Sequence, residues 1–134
     1  MSRFDKVSKE DFAQSIGLIP KEYQSFLSPV SEGVDYYLYL PGGGFGIDKT
    51  TKEIVGLHRV KNILITCSEL LEGAKKFGGT WLSCFDGFLA NKYRELGFTV
   101  ETERLVFNDE YAPSNWDFDR WGRPAVISLS LEKR

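Results

Sequence analysis

Histidine and cysteine are scarce in this chain: His58 is the one histidine among 134 residues, and Cys67 and Cys84 are the two cysteines. A single imidazole leaves a Ser-His-Asp triad or a histidine-rich metal site little to build from, so His58 is expected to be an ordinary turn or strand residue. The separation of the cysteines matches no close-spaced zinc pattern, and two cysteines suit a reducing compartment. No metal site is expected. An excess of positive charge is missing as well. Lysine and arginine number 17 against 19 acidic residues, a formal net charge of -2, so no bulk field draws the protein onto nucleic acid or an anionic membrane. No apolar run approaches the roughly 18 residues that span a bilayer, and MSRFDKVSKEDF lacks the apolar core of a secretory signal. The expectation is a cytoplasmic protein without a nucleic-acid or membrane partner.

What is present is apolar and aromatic material, 42% and 14% of the chain, enough for one domain with one substantial core over residues 1–134. FDKV reads as a short strand, and Ser8 with Asp11 supplies a cap signal for a helix bearing Phe12, Ala13 and Ile16 and closed by Gly17. Pro20 opens a second short helix through Tyr23, Phe26 and Leu27, ending before Pro29. VDYYLYL is a strong strand, PGGG a turn, and FGID with KEIVGLHRV a hairpin around DKTTKE. ILIT, from Ile63 to Thr66, is another short apolar run. Thr66 and Glu69 make a T-x-x-E capping box for a helix with Leu70, Leu71, Ala74 and Phe77 on one face, stopped by Gly78 and Gly79. TWLSCF is a buried strand. From Asp86 a helix buries Leu89, Tyr93 and Leu96 before Gly97. TVETERLVF and AVISLSL are strands, the second alternating Ala125, Ile127, Leu129 and Leu131 on one face. The fold class implied is α+β, with helices interrupting a mixed, mostly antiparallel sheet.

That order, with particular residues, resembles the GCN5-related N-acetyltransferase (GNAT) superfamily. FDKVSKEDFAQSI resembles its first strand and capped helix, KEIVGL its hairpin strand, and ANKYRELGF its late helix. A narrower resemblance, to small GNAT-like proteins of phages and prophages, is carried by CFDGFLANKYRELGF, RLVFNDEYAPSNWD and GRPAVISL. The resemblance implies a single GNAT-like domain that transfers an acetyl group from acetyl-CoA to an amine acceptor, a small molecule or a protein. The alternative is a catalytically inactive GNAT-fold binding protein of phage origin, either a virion component or an accessory protein with a phage or host partner. The localisation is then host cytoplasm or virion.

In active GNAT enzymes the pyrophosphate of acetyl-CoA rests on amides of a glycine-containing loop at a helix N-terminus, where unpaired N–H groups and the helix dipole attract phosphate oxygens. Here no G-x-G precedes the matching helix, leaving the amides of Cys67, Ser68 and Glu69, with Arg59 and Lys61 nearby, as the cofactor-binding candidates. PGGGFG enters a strand and suits a turn or bulge better than a phosphate cradle. By resemblance Tyr93 is the acid that protonates the departing thiolate; by position it is also the hydrophobic partner of Phe98 at a helix end. Asp86 reads as a cap or as a substrate contact. Cys84 reads as a small buried apolar residue. The loop from Asn108 to Pro124 offers Asp109 and Glu110 as bases toward a substrate ammonium, and Tyr111, Trp116, Trp121, Arg120 and Arg123 as a partner-binding surface. The competing reading folds the tryptophans over the sheet edge.

Overall fold

A computed structural model describes residues 4–21, 30–60, 63–86, 88–111 and 118–131. The expected second helix falls mostly outside these residues. The chain separates into two compact units, Met1–Thr80 and Trp81–Arg134.

The first unit is a four-stranded antiparallel meander, β1 (Asp5–Val7), β2 (Val34–Leu40), β3 (Gly43–Asp48) and β4 (Ile54–Arg59), in the order β1-β2-β3-β4. Helix α1 (Lys9–Ile16) starts where Ser8 Oγ accepts the Asp11 N–H, as the cap signal requires. Period-two alternation sends consecutive residues of β2 to opposite faces. Tyr36 stacks on Phe12 of α1 at 4.4 Å, whereas Tyr37 stacks at 4.2 Å on Phe77, which ends helix α2 (Cys67–Lys76). The sheet is thus covered on one face by α1, over Phe12, Tyr36 and Leu38, and on the other by α2, beside Phe4 and Phe45. Complete burial of such side chains contributes about 1.5–3 kcal/mol each before entropy is counted.

One expectation changes in this unit. The turn after β2 is Pro41–Gly42 only, and Gly43 and Gly44 belong to β3, because in this strand glycine lets neighbouring side chains come close: a Cβ on Gly43 would lie 2.9 Å from Ile63 Cδ1. ILIT leads into α2 without regular secondary structure. Leu64 is 87% exposed and Ile65 fully buried, and the carbonyls of Ile63 and Ile65 accept from the Arg59 guanidinium, not from a neighbouring strand.

The second unit is an antiparallel sheet of β5 (Trp81–Phe85), β6 (Val100–Leu105) and β7 (Val126–Ser130), ordered β5-β7-β6, with helix α3 (Phe88–Glu95) packed on β5 and β7. The alternation read in AVISLSL puts Ile127 and Leu129, both fully buried, on the face that also buries Leu82. On the other face Ser83 and Ser128 share a hydrogen bond of 3.0 Å. Helix α3 starts at Phe88, two residues later than Asp86. Strand β6 is an edge of this sheet, and all six of its residues are exposed. Its register against β7 slips by one between Glu101 and Glu103, so Thr102 is a bulge. In a regular strand, residues three apart face opposite ways; the extra residue brings Glu101 and Arg104 to one face, where they pair at 2.5 Å. A bulge and a charged pair both blunt an edge against pairing with another strand. Past β6 lie a 3-10 turn (Asp109–Tyr111) and the short helix α4 (Phe118–Trp121).

Every pairing among the described residues is antiparallel. The architecture is α+β.

Candidate functional site

The first turn of α2 is where the resemblance puts the cofactor phosphates. Thr66, in extended conformation, accepts the Glu69 N–H on Oγ1 at 3.1 Å, and the Glu69 carboxylate accepts the Thr66 N–H at 3.2 Å and its hydroxyl at 3.1 Å. The capping box read from sequence is therefore complete, and it sets a carboxylate at the positive end of the helix. Arg59, although exposed, is already engaged. Its Nε donates to the Ile65 carbonyl at 2.5 Å and its Nη2 to Ile63 at 3.4 Å, which fixes the segment leading into the helix. Cys67 and Ser68 are half-buried in the first turn, and Lys61 lies outside the described residues. A phosphate oxygen some 4 Å from the Glu69 carboxylate would meet a repulsion of about 4 kcal/mol at an effective dielectric of 20.

In the second unit, Tyr93 is 8% exposed and Phe98 fully buried. Gly97 (φ 106°) donates to the Arg94 carbonyl at 3.2 Å and Phe98 to the Tyr93 carbonyl at 3.1 Å, the paired bonds of a Schellman helix end, with the buried Tyr93 and Phe98 at the two positions where such an end places its apolar residues. The helix-end role of Tyr93 is thus built into the fold. The Asp86 carboxylate accepts from Arg104 Nη1 at 2.8 Å and lies 3.9 Å from Arg94 Nη1. With Glu101 it forms a four-membered network of two cations and two anions on one side of the sheet. Cys84, half-buried beside this network, has its thiol pushed up to about 11, chiefly by burial, with Arg94 opposing. At neutral pH it is a thiol, not a nucleophilic thiolate.

The loop brings two of its candidates together. Both Asp109 oxygens accept from Arg123, at 2.9 and 3.2 Å from Nε and 3.1 Å from Nη2, and Asp109 in turn pushes the Arg123 pKa upward. The Arg123 guanidinium lies 4.8 Å from the centre of the Phe118 ring, which meets Phe107 edge-on at 5.9 Å. An Asp109 carboxylate held in a fork is engaged before any substrate arrives, which weakens its reading as a base. Glu110 is exposed, with its N–H on the Asn108 side chain at 3.0 Å. Trp116 lies outside the described residues, as do the side chains of Tyr111 and Trp121.

One arrangement was not foreseen from sequence. Ser15, on the inner face of α1, and His58, on β4, are 1% and 5% exposed and share a hydrogen bond of 2.7 Å between Oγ and Nε2. His58 Nδ1 lies 2.8 Å from the Gly56 carbonyl. A carbonyl only accepts, so Nδ1 carries the proton, Nε2 is the acceptor, and Ser15 donates its hydroxyl hydrogen to the ring. The Gly42 N–H in turn donates to Ser15 Oγ at 2.6 Å. Ser15 also lines a groove of about 420 Å³ between α1 and the β2 end of the sheet, together with Asp5, Asp11, Leu18, Leu40 and Pro41. The signal available in sequence was Ser15 three residues after Phe12, a polar residue on the apolar stripe. Its partner, 43 residues away, was not readable.

No family model, curated protein or solved structure matches the chain. Among the described residues no cluster of three or more His, Cys, Asp or Glu is placed to hold a metal ion, and no helix is long and apolar enough to cross a membrane.

Proposed function

We propose that this chain is a GNAT-like domain that acts by binding a partner, a phage or host protein, and not by transferring an acetyl group. Support for the GNAT-like part comes from the element order: a strand and capped helix, an antiparallel group, then helix, strand, helix and two strands. The observation that carries the non-catalytic part is the first turn of α2, where no glycine loop precedes the helix and the Glu69 carboxylate closes a capping box, an arrangement that disfavours an anion. Acyl transfer from acetyl-CoA to an amine is the second reading. It is favoured by Tyr93, whose ring is anchored at the end of α3 while a phenol can still present its oxygen.

Calorimetric titration of the full chain with acetyl-CoA, paired with a thermal-shift series, separates the two. The binding reading expects no heat of binding and no rise in Tm at ligand concentrations of about 1 mM, because a ligand of micromolar affinity at that level would raise stability by about 4 kcal/mol. A saturable signal overturns it in favour of acyl transfer. In that case Tyr93→Phe should lower turnover while leaving affinity for acetyl-CoA intact.

A further inference from the structure

We infer that His58 is a proton-controlled latch that holds the two walls of the groove together at neutral pH and releases them in mild acid. One wall is α1, contributing Asp11, Ser15 and Leu18; the other is the end of β2 with the turn that follows it, contributing Leu40 and Pro41. The hydrogen bonds that join them run from the Gly42 N–H to Ser15 Oγ and from the Ser15 hydroxyl to His58 Nε2. With Ser15 donating to the ring, the chain of bonds requires a bare Nε2. Nδ1 is committed to the Gly56 carbonyl, so a second proton can enter the ring only at Nε2, on the face that receives Ser15. Ser15 then loses the acceptor for its hydroxyl hydrogen and faces an N–H in its place.

Among the described residues the imidazolium so formed has no counter-ion. From α1 the ring meets Ser15 and the Phe12 ring, edge-on at 5.0 Å. Gly44 stands opposite it on β3, and on its own strand Gly56 supplies a carbonyl while the exposed Arg59 is turned to the carbonyls of Ile65 and Ile63. Among the described residues the influences on the ring are burial, the larger, which pushes its pKa down, and the Gly56 carbonyl, which pushes it up; no charged side chain contributes. Asp5 and Asp11 line the groove but are exposed. The latched state therefore resists protonation, and a state in which α1 has parted from Gly42 lets the ring reach water and take a proton at its ordinary value near 6.5. The sign follows: with a depressed pKa in the latched state, the open state binds more protons below about pH 6.5, so the latch weakens as pH falls and stops weakening once the latched ring itself titrates.

The test uses the full chain. Being the sole histidine, His58 gives one imidazole signal, and its nitrogen shifts should report a proton on Nδ1 and a bare Nε2 at pH 7.5. Hydrogen exchange of the Gly42 amide, corrected for the intrinsic pH dependence of exchange, should lose about tenfold in protection for each pH unit below about 6.5 until the latched ring titrates, while the Leu82 amide in the second unit does not follow. In His58→Phe that dependence should vanish. If His58→Phe does not fold, Ser15→Ala serves, with Gly42 poorly protected at every pH. Gly42 protection that is flat with pH in the native chain, a decline that persists without His58, an Nε2–H tautomer at pH 7.5, or a uniform loss of protection at all amides would each overturn the latch.

Discussion

Gly56→Ala should be far more damaging than its modest size suggests, and the structure says by how much. Gly56 sits in β4 with φ 64°, where the register against β3 slips: Gly44 faces His58 and Gly46 faces Val55, so Gly56 and Leu57 together oppose Phe45. An alanine there adopts a left-handed backbone at a cost of about 1–2 kcal/mol. Its Cβ would also stand 2.8 Å from Phe12 Cε2 and 3.2 Å from Cζ. Phe12 has nowhere to go, being fully buried, stacked on Tyr36 and edge-on to His58, and forcing a methyl into such a core costs about 1–3 kcal/mol more. Gly33→Ala is the control, since Gly33 has φ 80° with nothing within 4 Å of the added Cβ. It carries the backbone strain alone, partly offset by the about 0.4–1 kcal/mol that alanine removes from unfolded-chain entropy. Urea denaturation of both variants, followed by circular dichroism, should show Gly56→Ala less stable than Gly33→Ala by about 1–3 kcal/mol at unchanged m-value. Combining Gly56→Ala with Phe12→Leu should cost less than the sum of the two, because both act on one contact. Equal losses for the two glycines, or additivity in the pair, would refute the claim that Phe12 closes over this bulge.

Other outcomes follow from the same geometry. Cys84, its thiol pushed up to about 11 by burial, should react with a disulfide reagent at pH 7.5 only after denaturant is added; immediate labelling of the native chain at Cys84 would contradict it. Thr66→Ala removes the acceptor for the Glu69 N–H and should cost about 1 kcal/mol of stability in denaturation, as the loss of a helix cap does; no loss would show that the capping box contributes nothing. Deleting Thr102 removes the β6 bulge and sends Glu101 and Arg104 to opposite faces; light scattering should then report association of the flatter edge, and a deletion as monodisperse as the native chain would count against the edge-guard role.

Much of the local structure was legible because its causes are local. Ser8 over Asp11, the Thr66–Glu69 box and Gly97 at the end of α3 each act within a few residues, and all three are found as read. The alternation of β7 announced its buried face, with Ile127 and Leu129 completely enclosed. ILIT, four apolar residues with no periodicity long enough to assign, leads into α2 with its Ile63 and Ile65 carbonyls held by Arg59, a contact no local pattern announced. TVETERLVF was read correctly as a strand, yet nothing in it announced the bulge at Thr102 or the Glu101–Arg104 pair that depends on the bulge. The candidate site divides the same way. The capping box was readable, whereas the bonds that turn Arg59 toward the carbonyls of Ile63 and Ile65 were not. Ser15 and His58 lie 43 residues apart and Asp109 and Arg123 14 apart. The sequence by itself determined caps, turns and apolar faces, which depend on neighbours within a few residues. Tertiary structure decided which polar groups meet, because a hydrogen bond is set by separations of a few tenths of an ångström between elements whose relative placement no local pattern encodes.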